Sequence, residues 1–325
     1  MILGLDIGGA NLKAAHGGGT ARTVPFALWK HPERLSHALA ELRASMPAHT
    51  RVRVTMTGEL CDCFENRAAG VAAILSAVRE AIHDAGVRVF TNQGRFVSLD
   101  QARADPLSAA SANWLALARF VARHFPSETV LLIDIGSTTC DITFLNQGKP
   151  EPRGLTDAGR LASSELVYTG LRRTPICAVL GMEVAAEFFA SMLDAYLVKG
   201  LVAENADDCD TADGRPATTA CAHARLARMR CTDAHLFSAE EASLLAERAI
   251  TVQQEAVARA IERVLAGRRP IERIVLAGSG EIVARCVCAR HPTWSRAQIE
   301  SLSAMLGPGL SEAACAYAVA MLAEE

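Results

Sequence analysis

The sequence predicts an α/β protein made of two related lobes. Three observations carry this. Strand-like and helix-like segments alternate along all 325 residues. Asp6-Ile-Gly-Gly-Ala-Asn11 recurs in form as Asp134-Ile-Gly-Ser-Thr-Thr139, 128 residues later, each after an aliphatic run and before a second strand signal. No short repeat of the solenoid kind is present, so the echo reads as duplication of a larger βββαβα unit.

The elements follow in order. Ile2 to Ile7 is a strand, and Gly8-Gly9 turns it into a second strand over Asn11 to Ala15. Thr23 to Leu28 reads as a third. Leu35 to Met46 has helical periodicity, and Arg51 to Thr57 alternates like a strand. Helices are expected at Gly70 to Asp84 and Pro106 to His124. Thr129 to Ile135 is a nearly continuous aliphatic run, the mark of a buried strand, and Cys140 to Leu145 resumes it after Gly136-Ser137. A long amphipathic helix fills Ala239 to Ala266. Arg273 to Ala277 is a buried strand ending in Gly278-Ser279-Gly280, with Ser279 the expected cap of the next helix. The last helix is expected over Ser311 to Ala323. Glu204 to Asp213 is acidic and too polar for core, so it reads as an insertion or lid.

Composition narrows the function classes. Half of the residues are hydrophobic, which excludes a disordered chain. Alanine accounts for 59 residues and aromatics for only 5%, so the core must be small and aliphatic. The formal charge of −3 lacks the basic excess of a general nucleic-acid binder. No apolar run reaches the roughly 18–20 residues of a membrane span. The start, Met1 to Asp6, has no positively charged leader, which argues against a signal peptide. Ten cysteines are too few for a disulfide scaffold in a chain this long. A cytoplasmic protein with reduced thiols is expected, with no nucleic-acid or membrane partner. Cys61-x-Cys63 and Cys286-x-Cys288 have the wrong spacing for structural zinc.

Three segments carry candidate chemistry. A phosphate-binding turn needs converging backbone N–H groups, and glycine permits the close approach. An aspartate at the strand end can hold a cation that neutralises phosphate. Asp6, Gly8, Gly9, Asn11 and Lys13 supply these parts in order, Lys13 as a point charge. Asp134, Gly136, Ser137, Thr138, Thr139 and Asp141 supply them again. Either segment alone could be an ordinary hairpin turn; two in the same context favour phosphate. Gly278, Ser279, Gly280 and Glu281 form a strand-to-helix turn on which a base or ribose could lie. Arg172 and Arg173, in a loop before a helix, suit phosphate oxygens or form a surface basic pair. Glu59 follows a strand and reads as a base, a metal ligand or a helix-start residue. Asp207, Asp208, Asp210 and Asp213 read as a magnesium site or, more simply, a solvated loop. Of the four lysines, Lys13 alone lies within such a turn.

The order of these three segments resembles the two phosphate motifs and the adenosine motif of the sugar kinase, heat-shock 70 and actin superfamily. That resemblance implies a two-lobed actin/hexokinase-like, ribonuclease H-like duplicated fold. It implies an N-terminal lobe over 1–127 and a C-terminal lobe over 128–325, with the last helix packing back on the first lobe. Asn11 stands where many sugar kinases have threonine or serine, and no sugar-recognition segment is evident. Thr55 to Leu60, Glu165 to Pro175 and Ala212 to Thr218 resemble the hydantoinase/oxoprolinase-related group, and within it proteins tied to tetrahydromethanopterin-linked one-carbon metabolism. Archaeal relatives there include a methanofuran-biosynthesis synthase. The resemblance implies a transferase joining an aminomethylfuran-methyl diphosphate to γ-glutamyltyramine with release of pyrophosphate. It implies Asp6, Glu59 and Asp134 as catalytic residues, Mg²⁺ held by Asp6, Asp134 and Asp141, and a homodimer. An ATP-dependent kinase or amide-activating enzyme, with ATP or ADP at Gly278 to Glu281, is the second expectation. A non-catalytic, nucleotide-switched actin-like protein is the third.

Overall fold

The computed structural model describes residues 1–322. The chain divides into two compact units. The first comprises Met1–Leu132, Thr143–Ala162 and the chain from Glu300 on; the second comprises Ile133–Ile142 and Ser163–Ile299.

The first unit is built on a sheet of β1 (Ile2–Ile7), β2 (Asn11–His16), β3 (Thr20–Pro25), β4 (Arg51–Met56), β5 (Gly86–Phe90) and β6 (Phe96–Val97). The strand order is β3-β2-β1-β4-β5-β6. β1 is antiparallel to β2 and parallel to β4. All six residues of β1 are buried because both of its faces are covered. Leu3, Leu5 and Ile7 pack in one cluster with Leu39 and Leu42 of helix Leu35–Ala44 and with Val71 and Ile74 of helix Arg67–Ala81. Gly4 points the other way, since side chains alternate along a strand. A Cβ there would lie 1.8 Å from the Ala316 carbonyl oxygen, so helix Ala314–Leu322 rests directly on the strand. Alanine at 316, 318 and 320 permits that approach, which gives the alanine excess one of its uses. Helix Asn113–His124 joins the same layer, with Phe120 edge-on to Tyr317 at 5.5 Å.

A second sheet comprises β7 (Thr129–Ile135), β8 (Cys140–Asn146), β9 (Lys149–Pro150), β10 (Leu166–Val167), β11 (Arg273–Ala277) and β12 (Gln298–Ser301). Its order is β10-β8-β7-β11-β12, with β9 on β8. In the second unit, helix Ala239–Leu265 opens with a capping box between Ser238 and Glu241. Helices Met192–Val198 and Thr219–Met229 pack with it.

The structure departs from the sequence expectation in four places. β3 runs over Thr20–Pro25 rather than to Leu28, because the N–H groups of Phe26 and Leu28 leave the ladder for Ala10 O and Gly9 O. The expected helix over Pro106 to His124 is two, Pro106–Ala109 and Asn113–His124, broken at Ser111 with φ +45°. The helix after β11 is capped by Gly280, not Ser279, and begins at Glu281, because the Gly280 N–H is taken by Ile135 O at 2.7 Å. The last helix is split into Pro308–Glu312 and Ala314–Leu322, and its expected end at Ala323 lies outside the described residues. No helix among the described residues is long and apolar enough to cross a membrane.

Candidate phosphate-binding site

In the first unit, the turn between β1 and β2 closes with the Gly8 N–H donating to Asn11 O at 3.0 Å. A Cβ on Gly8 would lie 2.9 Å from that oxygen, and one on Gly9 would lie 2.9 Å from Cys61 Sγ. The β4 end holds the turn from the side: the N–H groups of Thr57 and Gly58 both donate to Ile7 O, at 2.9 and 3.1 Å. Glycine is required at Gly8 because backbone meets backbone there, whereas at Gly9 the neighbour is the Cys61 side chain.

Ladder register places Asp6 between Lys13 on β2 and Thr55 on β4, and Thr23 follows Lys13 on β3. Cross-strand neighbours share a face, so these four form a polar row across the sheet. Asp6 is 6% exposed. Burial raises its carboxyl above the usual carboxylate range, opposed by the Lys13 charge and a hydrogen bond from the Asn113 side chain. Asn113 is oriented for this: its Oδ1 accepts from the Trp114 N–H at 2.7 Å, which leaves the amide N–H₂ to donate. Asp6 Oδ1 and Thr55 Oγ1 are both buried without a hydrogen-bond partner. An orphaned carboxylate oxygen beside a glycine turn suits a cation or a ligand donor.

Glu59 follows Gly58, whose N–H donates to Ile7 O, and is fully buried. Its Oε1 is 2.7 Å from Ser111 Oγ, which is also 2.8 Å from Asp157 Oδ2. Arg67 Nη2 reaches Asp157 Oδ2 at 2.6 Å and its Nε stands 3.7 Å from Glu59 Oε1. Burial raises the Glu59 carboxyl; Ser111 and Arg67 oppose the shift and the Asp157 charge adds to it.

The second unit repeats the turn. The Gly136 N–H donates to Thr139 O at 2.9 Å, matching Gly8 and Asn11. The loop carrying Arg172 and Arg173 packs against it: both N–H groups donate to Ser137 O, at 3.1 and 2.9 Å. A Cβ on Gly170 would lie 2.5 Å from the Ser137 carbonyl carbon and the Thr138 nitrogen. Buried Gln253 ties the loop down, donating to Thr169 Oγ1 at 2.8 Å and Gly170 O at 2.9 Å while accepting from the Tyr196 hydroxyl at 2.8 Å. The third segment lies on the strand end below. Gly278, at φ +84°, would bring a Cβ 2.2 Å from Ile135 O and 2.5 Å from Asp134 Oδ1. Thus Asp134, Gly136 to Thr139, Arg172, Arg173 and Gly278 to Glu281 gather around one strand end. Asp141 lies on β8 opposite Leu166.

The acidic segment is tied down by ion pairs. Arg172 Nη2 meets Asp208 Oδ2 at 2.7 Å. Fully buried Arg225 binds Asp194 at 2.8 Å and Asp213 at 2.9 Å. Burial raises the Asp213 carboxyl, but hydrogen bonds from Arg215 and Arg225 outweigh it and hold it at about 2. Asp207 N–H donates to the Asn205 side chain at the start of this segment. None of the ten cysteines is in a disulfide. Among the described residues, no three His, Cys, Asp or Glu side chains are grouped to hold a metal ion by themselves.

A family model described as hydantoinase/oxoprolinase matches residues 51–325. The chain belongs to the hydantoinase/oxoprolinase family. This family member is 29% identical over 336 residues to the (4-{4-[2-(gamma-L-glutamylamino)ethyl]phenoxymethyl}furan-2-yl)methanamine synthase of Methanocaldococcus jannaschii, covering 100% of this chain and 98% of that one. The synthase of the same name from Methanococcus vannielii is 28% identical over 213 residues, covering 63% of this chain and 95% of its own length. A solved structure titled "PilM-PilN type IV pilus biogenesis complex" aligns over 100% of this chain and 98% of that chain, with a TM-score of 0.52 and 14% identity. The fold is α/β of the actin/hexokinase-like kind, as the order of the three segments predicts.

The sequence did not point to Arg67, Ser111, Asn113, Asp157 or Gln253. The only local mark of the Ser111 to Asn113 segment is a pair of polar residues in an alanine-rich helical run.

Proposed function

We propose that this protein is a diphosphate-displacing transferase that forms the aryl ether of a methanofuran-type one-carbon cofactor. The whole-chain match to a synthase whose product contains a phenoxymethyl-furan carries the reading. In the reaction, the furfuryl C–O bond to diphosphate breaks and diphosphate keeps the electron pair. The furan ring stabilises the cation left behind. The phenol oxygen of γ-glutamyltyramine bonds to that carbon, and its proton passes to the departing diphosphate.

Such a reaction needs little from the protein beyond holding diphosphate and placing the phenol oxygen. In this reading Gly8 closes the turn, and the Gly9 N–H and the side chains of Asn11 and Lys13 hold phosphate oxygens in the first unit. The hydroxyls of Ser137, Thr138 and Thr139 do so in the second, on the turn that Gly136 closes, and Arg172 exchanges Asp208 for phosphate. Asp6 fits Mg²⁺, because its buried Oδ1 is an orphaned hard oxygen donor. Asp134 and Asp141 are its proposed counterparts in the second unit. Mg²⁺, when bound, neutralises charge on the departing diphosphate. A cytoplasmic setting accords with ten cysteines outside any disulfide.

The test is direct. Purified protein, the aminomethylfuran diphosphate, γ-glutamyltyramine and Mg²⁺ should give the coupled ether by mass spectrometry and equimolar pyrophosphate. No product beside an active archaeal synthase sinks the reading. Calorimetry separates the ATP-using alternative, which requires tight nucleotide binding and indifference to pyrophosphate. Asp6→Asn and Asp134→Asn should each remove most turnover with an unchanged circular dichroism spectrum.

A further inference from the structure

Ser111 stands where two hydrogen-bonding demands meet. Its hydroxyl oxygen lies 2.7 Å from Glu59 Oε1 and 2.8 Å from Asp157 Oδ2. A hydroxyl has one proton to donate, and an ionised carboxylate has none. With both carboxyls ionised, one contact would bring two oxygen lone pairs together. A second proton in the cluster removes that conflict.

The surroundings decide which carboxyl carries it. Arg67 Nη2 meets Asp157 at 2.6 Å, and the Asp157 side chain is 27% exposed. Glu59 has the opposite setting: it is 0% exposed, its Oε2 has no partner, and Arg67 Nε stands 3.7 Å from its other oxygen. Burying an ionised carboxylate without full hydrogen bonding costs several kcal/mol. One proton on Glu59, with Arg67 beside Asp157, leaves the cluster neutral. The groups that face Glu59 are Ser111, Arg67 and Asp157, and the upward shift of its carboxyl comes mainly from burial.

The cluster also acts on the phosphate turn. Ser111 holds φ +45° between two helices, a conformation that must be imposed by its neighbours in a residue with a Cβ. Two residues on, the Asn113 side chain faces Asp6 and favours its ionised form. The segment between the helices therefore ties Glu59 and Asp6 to one piece of backbone.

We propose that Glu59 is protonated and donates to Ser111, which donates to Asp157, and that this chain is a positioning device that sets Asn113 against Asp6. Glu59 is then a hydrogen-bond donor rather than the base expected from the sequence. Loss of its proton leaves Ser111 facing two acceptors, frees the segment, and takes Asn113 off Asp6. The inference rests on the reading of Asp6 as the carboxylate of a phosphate turn. It does not depend on the organic substrate.

Two measurements on the full chain test it. Difference infrared spectroscopy of protein labelled with ¹³C-glutamate should show a protonated carboxyl band at pH 7 that Glu59→Gln removes. Its absence overturns the protonation. Calorimetry with magnesium pyrophosphate tests the positioning. Glu59→Ala should weaken binding by about tenfold, the scale of one unsatisfied buried hydrogen bond. Glu59→Gln should recover most of that loss, and the decline of binding at alkaline pH should disappear. Ser111→Gly tolerates the positive φ but lacks the hydroxyl, and should bind as weakly as Glu59→Ala. Equal weakness of Glu59→Gln and Glu59→Ala overturns the positioning role. If wild-type protein binds pyrophosphate yet forms no ether, the proposed reaction fails while the inference stands.

Discussion

Gly278→Ala offers the sharpest test of how the second turn is supported. The residue has φ +84°, and an added Cβ would lie 2.2 Å from Ile135 O and 2.5 Å from Asp134 Oδ1. Left-handed backbone costs a non-glycine residue about 1–2 kcal/mol. Overpacking adds about 1–3 kcal/mol. The obstacle cannot swing aside, because Ile135 O is backbone and already accepts the Gly280 N–H. The expected loss is therefore about 3 kcal/mol, together with displacement of Asp134. Gly280→Ala is the matched control. It has φ −94°, so it escapes the left-handed penalty and meets overpacking alone, against Ile135 Cγ2 at 2.5 Å and Cβ at 3.0 Å. Its cost should be the overpacking part alone, about 1–3 kcal/mol, and smaller than that of Gly278→Ala by the left-handed penalty. Urea unfolding measures both variants, and magnesium-pyrophosphate calorimetry reports on the turn. A Gly278→Ala loss below about 1 kcal/mol, or no larger than that of Gly280→Ala, would refute the close approach of the 278–280 turn to Asp134.

Other outcomes follow from the same contacts. Asp194→Ala strands the fully buried Arg225 guanidinium and should cost about 3–5 kcal/mol in urea unfolding, whereas Glu255→Ala, half of an exposed helix pair, should cost under about 0.5 kcal/mol. The Asp213 carboxyl sits below its ordinary value, at about 2, so its stabilisation is present above pH 4 and is lost as pH falls from about 4 towards 2. Solvent screening limits that contribution to about 1 kcal/mol, and Asp213→Asn should flatten the acid limb of a thermal melting profile by that amount. Lys13→Arg puts a longer forked cation between Asp6 and Thr23 on the polar row, and should weaken magnesium-pyrophosphate binding about tenfold with little change in melting temperature.

Most strands and long helices were legible because their patterns are local. Ile2 to Ile7 and Thr129 to Ile135 read as buried strands from their aliphatic runs, and the structure covers β1 on both faces. What failed were positions decided by distant backbone. The chain leaves β3 early because Ala10 O and Gly9 O capture Phe26 and Leu28. The Pro106 to His124 run is helical in composition but breaks at Ser111, and nothing in the neighbouring residues announces a positive φ there. Ser279 has the side chain of a cap, but Gly280 takes the place because its N–H is bound by a strand end more than a hundred residues earlier.

The candidate site divides along the same line. Each glycine turn is a run of adjacent residues, so its donors, its aspartate and even the Lys13 partner of Asp6 can be read in order. The supports cannot. Ser111 reaches Glu59 across 52 residues and Asp157 across 46, and Gln253 reaches Thr169 across 84. None of these side chains belongs to a motif, and each is an unremarkable polar residue in its own segment. Their importance comes from burial: in a low-dielectric setting an unpaired polar atom is costly, so partners must be brought from wherever the fold allows. A sequence therefore displays the groups that would touch a ligand more readily than the groups that hold them in place. That is why Glu59 could be singled out by its strand-end position while its protonation state could not. The proton count depends on Ser111, Arg67 and Asp157, three residues that only the folded chain assembles.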